Sequence, residues 1–146
     1  MKDSDTMVGF IESDEGLREV LNETRTIAVI GMKGPGQGPA FSVPKYMAGH
    51  GYDIIPINPK LSRVLGVDAL GDVSGLSGPV DMINIFRRSE YIPAHVDEIL
   101  GMETLPGSVW LQLGIRHDES MRRLVEAGIK VVQDSCLLIE HRRLLR

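Results

Sequence analysis

One cysteine, Cys136, stands in a chain of 146 residues, so no internal disulfide can form. A single thiol also provides no thiolate cluster for zinc, and the chain is expected in a reducing compartment. Aromatic residues are scarce, at 5%. The cations are scattered rather than drawn into a stripe, which leaves no aromatic-rich basic face for nucleic acid. No apolar run nears the ~20 residues that cross a bilayer. Val8-Gly9-Phe10-Ile11 is too short and too closely flanked by acids for a signal peptide. These absences predict a cytoplasmic protein with neither membrane nor nucleic acid as partner.

What remains is ordinary globular material, 42% hydrophobic and 25% charged, at a length typical of one domain. Such a chain buries roughly two-thirds of its unfolded surface, so no covalent staple is needed. The formal charge of −4 is uneven. Residues 1–23 hold seven carboxylates against Lys2 and Arg18, a net −5, and residues 24–146 therefore carry +1. The sequence divides into an acidic leader over 1–23, with a helix over 14–22 packed by Leu17, Val20 and Leu21, and a body over 24–146.

Within the body, β-branched apolar runs predict strands over 26–30, 53–57, 81–86, 108–113 and 129–133. Their nearly continuous hydrophobicity marks strands covered on both faces. Between them Ile92, Val96, Ile99 and Leu100, and then Met121, Leu124 and Val125, repeat at helical spacing. Ser89 and Asp118 are placed to cap these helices, with Gly101 and Gly128 as stops. Ser42 is placed to cap an earlier helix, with Pro44 in its first turn. A final helix is predicted over 136–145. Alternating strands and helices imply right-handed crossovers and a five-stranded parallel sheet in an α/β fold. The stretch 62–80 shows no period and predicts a short helix or an irregular connection.

The first strand empties into Gly31-Met32-Lys33-Gly34-Pro35-Gly36-Gln37-Gly38. Glycines in that place let backbone N–H groups and the next helix N-terminus approach phosphate, so the loop predicts a pyrophosphate site. Its glycine spacing is not that of the dinucleotide fingerprint, and the lysine-serine ending of a P-loop is absent. At the end of the second strand a NAD site would place a carboxylate for the ribose hydroxyls. Here stand Asn58, Pro59 and Lys60, with Arg63 nearby. An amide and a cation suit a ribose with an extra phosphate, as in NADP or coenzyme A, and the residues alone do not choose between the two.

Three blocks carry a resemblance: "GYDIIPINPK" (51–60), "PVDMINIFRRSEYIPAHVDEIL" (79–100) and "VWLQLGIRHDESMRRLVEAGIKVVQDSCLLIEHRRL" (109–144). The sequence resembles the small CoA-binding domain proteins, which are Rossmann-like and related to the CoA-binding domain of succinyl-CoA synthetase. The resemblance implies a three-layer fold around a five-stranded parallel sheet, here with an extra N-terminal helix, and a site for coenzyme A or an acyl-CoA at the carboxyl edge. It places the phosphates at Gly31, Met32, Lys33 and Gly34, with Ser42 at the following helix start. It places the ribose phosphate end at Asn58, Pro59 and Lys60, and further contacts at Phe86, Arg87, Gln112, Gly114 and Cys136. The glycine loop lacks an arginine usual in the family, and Ser135 stands where another commonly lies between the Asp and the Cys.

Several of these residues have plainer roles open to them. Arg87 and Arg88 end a strand, where a guanidinium can clamp phosphate or lie on the surface. Gln112 needs a partner if buried, and backbone serves as readily as a ligand. Tyr46 and Trp110 are expected in the core rather than against a base, and Cys136 is expected to be a small hydrophobe without a base beside it. His50 and His95 lack metal spacing, and Asp97 and Glu98 fall on a solvated helix face. A binding, carrier or regulatory module for coenzyme A needs no catalytic residue and is the economical reading. The alternatives are an NADP-linked oxidoreductase or a subunit of a CoA-dependent ligase or transferase, which need a second domain or a partner chain to cover the substrate. A homo-oligomer or a partner subunit is left open.

Overall fold

The computed structural model describes residues 8–145. Its strands, in chain order, are β1 (Thr26–Ile30), β2 (Asp53–Ile57), β3 (Arg63–Val64), β4 (Val67–Asp68), β5 (Met82–Ile85), β6 (Ser108–Leu111) and β7 (Lys130–Val132). The helices are α1 (Asp14–Asn22), α2 (Pro39–Ala48), α3 (Ile92–Leu100), α4 (Asp118–Glu126) and α5 (Leu137–Leu145). Five strands form one sheet in the order β2-β1-β5-β6-β7, every pair parallel. The unbroken hydrophobicity of these strands follows from burial on both sides. Ala28, Ile30, Ile83, Ile85, Val109 and Leu111 face one cluster, with side chains from α3 and α4. Ile27, Val29, Met82 and Trp110 face the other, with side chains from α1, α2 and α5. The result is the parallel α/β sheet that the strand runs predict, in the three-layer, Rossmann-like form that the resemblance implies.

From β2, at one margin, the chain returns past β1 to lay down β5 on the far side. The strand order therefore reverses between β1 and β5, and the crevice above that reversal is where parallel α/β sheets bind ligands. The connection between β2 and β5 is the part without periodicity. It folds as a two-residue antiparallel ribbon, β3 with β4, and then a 3-10 turn at Val73–Gly75. Leu65 and Gly66 at the ribbon tip both have positive φ, 52° and 76°, the geometry of a tight hairpin turn. Apolar periodicity cannot reveal strands of two residues.

Three cap assignments are corrected. Helix α2 begins at Pro39 with Gly38 as N-cap, so Ser42 lies inside it, exposed, and Pro44 sits in mid-helix. Ser89 opens a 3-10 turn, Ser89–Tyr91, ahead of α3. Its hydroxyl instead accepts the Arg116 N–H at 3.0 Å. Asp118 is the first residue of α4, and His117 caps it through Nδ1, which accepts the Ser120 N–H at 3.2 Å.

Much of the acidic leader is bound to the sheet. Phe10 bridges Val131 in parallel, and the Ile11 N–H donates to the Val131 carbonyl at 2.9 Å, extending the margin beyond β7. Lys130 on β7 meets Glu19 and Glu23 at 3.1 and 3.0 Å, and Asp14 pairs with Arg143 of α5. At the opposite margin Leu70 bridges Ile57.

Candidate functional site

The carboxyl ends of β1, β2 and β5 open into a cleft of about 670 Å³, within the range of small-molecule sites. Gly31 is the hinge of its floor. Its φ is +82°, and a Cβ there would lie 2.5 Å from the Phe86 carbonyl oxygen. The Gly31 N–H donates to the Ile57 carbonyl and the Phe86 N–H to the Ile30 carbonyl, both at 2.9 Å, so three strand ends are drawn together at this glycine. No side chain fits between them.

The rest of the glycine loop is pinned from below. Met32 is fully buried and anchors the loop in the core. Its carbonyl accepts the Asn58 Nδ2–H at 2.8 Å, while Asn58 Oδ1 accepts the Lys60 N–H at 2.9 Å. Asn58 thus braces the loop after β1 against the loop after β2. Pro44 makes the next tie: without an N–H it leaves the Ala40 carbonyl free in mid-helix. The Lys33 N–H donates to that carbonyl at 3.1 Å. Helix α2 itself starts with no side-chain cap, and the Phe41 and Ser42 N–H groups both donate to the Gly38 carbonyl at 3.0 Å.

Around this frame Lys33, Lys60, Arg87 and Arg88 line the cleft, opposed by Asp72 and Glu98. Four cations against two carboxylates make it a basic patch on a chain of net charge −4. The Arg87 guanidinium lies over the Tyr91 ring, 4.5 Å from its centroid. Hydrogen bonds from the Ser74 hydroxyl and N–H hold the Asp72 carboxyl below its ordinary range. His95 Nδ1 and Glu98 Oε1 meet at 3.1 Å on the far wall.

Of the residues singled out in the sequence, the structure brings Gly31, Lys33, Asn58, Pro59, Lys60, Phe86 and Arg87 to this one cleft. Met32 lies beneath it, and Gly34 and Ser42 lie outside its lining. Gln112, Gly114 and Cys136, which follow β6 and β7 in the chain, do not line it. Gln112 is buried and its Oε1 accepts the Leu137 N–H at the start of α5. The Gly114 N–H donates to the Asp134 carboxylate at 2.6 Å, and Cys136, half-buried, immediately precedes α5. Trp110 is fully buried, and Tyr46 donates to or accepts from His141 Nδ1 at 2.9 Å, outside the cleft.

Tyr91, His95 and Glu98 were not expected here. A signal for them exists: they fall at i, i+4 and i+7, a polar stripe one residue out of phase with the buried Ile92, Val96 and Ile99.

A doubly covered parallel sheet with a basic cleft at its strand reversal defines a small-ligand α/β domain. The model of the CoA binding domain family matches residues 25–142, and this chain belongs to that family. The uncharacterized protein YneT of Bacillus subtilis (strain 168) is 36% identical over 125 residues, covering 86% of this chain and 91% of YneT. A solved structure from Thermus thermophilus is 40% identical with a TM-score of 0.85, covering 92% of this chain and all of that one. A hypothetical protein from Pyrococcus horikoshii OT3, 30% identical, superposes with a TM-score of 0.85 over 92% of this chain and 94% of its own. Among the described residues no helix is long and apolar enough to cross a membrane.

Proposed function

We propose that this chain binds coenzyme A or an acyl-CoA in the cleft above β1, β2 and β5, as a holding or regulatory module rather than a catalyst. The observation that carries the reading is the convergence of Lys33, Lys60 and Arg87 on the hinge at Gly31. Backbone amides of the glycine loop take the diphosphate. Lys60 takes the 3′-phosphate of the ribose, at the strand end where a NAD site carries an acid. The order of loops gives the adenosine end to the β2 and β5 side. Membership of the CoA binding domain family favours coenzyme A over NADP for the same phosphate pattern.

Thermal unfolding with CoA, 3′-dephospho-CoA, NADP and NAD tests this. A ligand at 100 times its dissociation constant adds about 2.7 kcal/mol. CoA is expected to raise the midpoint most, dephospho-CoA less, and Lys60→Ala to abolish the difference between them. Equal shifts from CoA and dephospho-CoA in the unaltered protein would remove Lys60 from the site. A larger shift with NADP would transfer the cleft to the oxidoreductase reading.

A further inference from the structure

We propose that ligand binding in the cleft is coupled to a proton on His141, with helix α2 carrying the coupling; this rests on the coenzyme A reading above. His141 lies on α5, 7% exposed, among aromatic rings supplied by α2 and the turn into β2. Its Nδ1 and the Tyr46 hydroxyl of α2 meet at 2.9 Å. The His50 and Tyr52 rings stand 5.2 and 5.6 Å away, centroid to centroid. His50 stacks on Tyr46 at 4.0 Å and its Nδ1 donates to the Tyr46 carbonyl at 2.8 Å, so this second imidazole moves with α2. The charged groups about the cluster offer a proton no counter-ion. On α5 itself Arg142 lies over the Tyr46 ring, and on α2 the Lys45 ammonium lies over Phe41. From α1, Asp14 is paired with Arg143, which also holds Glu140, and Arg18 donates to the Leu144 carbonyl. The Tyr52 hydroxyl is spent on the Leu21 carbonyl. A proton on His141 therefore meets His50 and Arg142 while both neighbouring carboxylates are engaged elsewhere. The Tyr46 hydroxyl can accept from an imidazolium as well as donate to a neutral ring, so what resists the proton is buried charge and not a lost bond.

Charging His141 calls for water, and water enters where α2 parts from α5. Of the two helices α5 is the anchored one: Arg143 grips the Asp14 carboxylate of α1 through two hydrogen bonds, at 2.8 and 3.0 Å. Helix α2 is tied at its cleft end by the bond from the Lys33 N–H to the Ala40 carbonyl, with no side-chain cap to reinforce it. That bond leads to the site, because Lys33 lines the cleft. A shift of α2 away from His141 draws Ala40 from Lys33 and loosens the loop that meets the phosphates. The proton thus favours the parted arrangement and the ligand the closed one, and each weakens the other by the same factor. Burial and His50 already hold the His141 pKa below 6.5. Affinity is accordingly full while His141 is neutral and falls as pH drops below that value, and bound ligand lowers the His141 pKa further.

NMR titration of the His141 ring in the unaltered protein, free and saturated with CoA, is expected to show the lower pKa in the complex. Calorimetry with CoA at about pH 7.5 and about pH 5.5 then gives an affinity ratio for the unaltered protein and for His141→Gln, whose amide keeps a hydrogen-bonding group for Tyr46 without a charge. The 3′-phosphate of CoA, with a second pKa of ~6, titrates alike in both measurements and cancels between the proteins. The ratio in the unaltered protein is expected to exceed that in the variant by about fivefold or more, the lower end of ordinary coupling between sites. Pro44→Ala, which gives the Ala40 carbonyl a competing donor, is expected to shrink that excess. Equal ratios, or a His141 titration that CoA does not move, overturn the coupling while the coenzyme A assignment stands. An excess undiminished in Pro44→Ala overturns α2 as its carrier. If CoA binds at neither pH, both readings fall.

Discussion

Gly31 illustrates how much one missing side chain determines. The contact of β1 with β5 at this level exists because nothing projects from Gly31 toward Phe86, and the positive φ adds a backbone cost for any other residue. Gly31→Ala should lower stability by about 1–3 kcal/mol, the range for a strained backbone position. It should weaken CoA binding beyond that by parting the strand ends. Urea denaturation monitored with and without CoA reads both effects, and unchanged affinity would detach the hinge from the site. At this scale the sequence was legible as to place, since Gly31 and Lys60, read at strand ends, both line the cleft. It was less so for versatile groups. The amide of Asn58, read as a ribose contact, also braces two loops. Gln112 serves α5, and Glu98 on an exposed helix face is indistinguishable by spacing from a solvated acid until the cleft places it.

Among elements, α2 couples a backbone defect to the loop it follows. Pro44 removes one helical hydrogen bond, and the freed Ala40 carbonyl holds Lys33 in the loop. Pro44→Ala would restore an N–H that competes for that carbonyl. The Lys33 amide is then expected to exchange with solvent faster, by tenfold or more if the competing bond is worth about 1.4 kcal/mol. Exchange measured by NMR on the unliganded protein reports this; an unchanged Lys33 rate would show the tie to be unimportant. The same proline explains why the start of α2 was misread. Pro44 near Ser42 looks like a first-turn pair, whereas the helix opens at Pro39, another residue suited to that place. The five sheet strands were readable because both of their faces are buried. The β3–β4 ribbon was not, since a left-handed Leu65 is a tertiary outcome no propensity announces.

For the whole molecule, acid sensitivity should come in two stages. His141 is buried between α5 and α2 against Tyr46, His50 and Tyr52. Burial first, and then the nearby His50, push its pKa below the ordinary 6.5. The folded state therefore binds this proton less readily than the unfolded chain, and stability falls as pH drops below about 6.5. Asp81 acts lower. Burial raises its pKa, but bonds from the Thr26 and Arg25 N–H groups and the Thr26 hydroxyl outweigh that, so it stays below 3.8. Its contribution is present above that value and is lost beneath it. Denaturation midpoints should decline from pH 7.5 to 5.5, and His141→Gln should flatten that decline; an equal slope in the variant would acquit His141.

The bridges from Phe10 to Val131 and from Leu70 to Ile57 bear on how this fold meets its neighbours in a crowded solution. Each lays a segment of the same chain along an outermost strand and occupies part of its row of hydrogen-bonding groups. An incoming strand would have to peel away that fringe before it could zip on, so runaway fibril growth is obstructed at both flanks. At one flank the fringe is fastened partly by charge, through Lys130 and Arg143. Strong brine weakens such fastenings first.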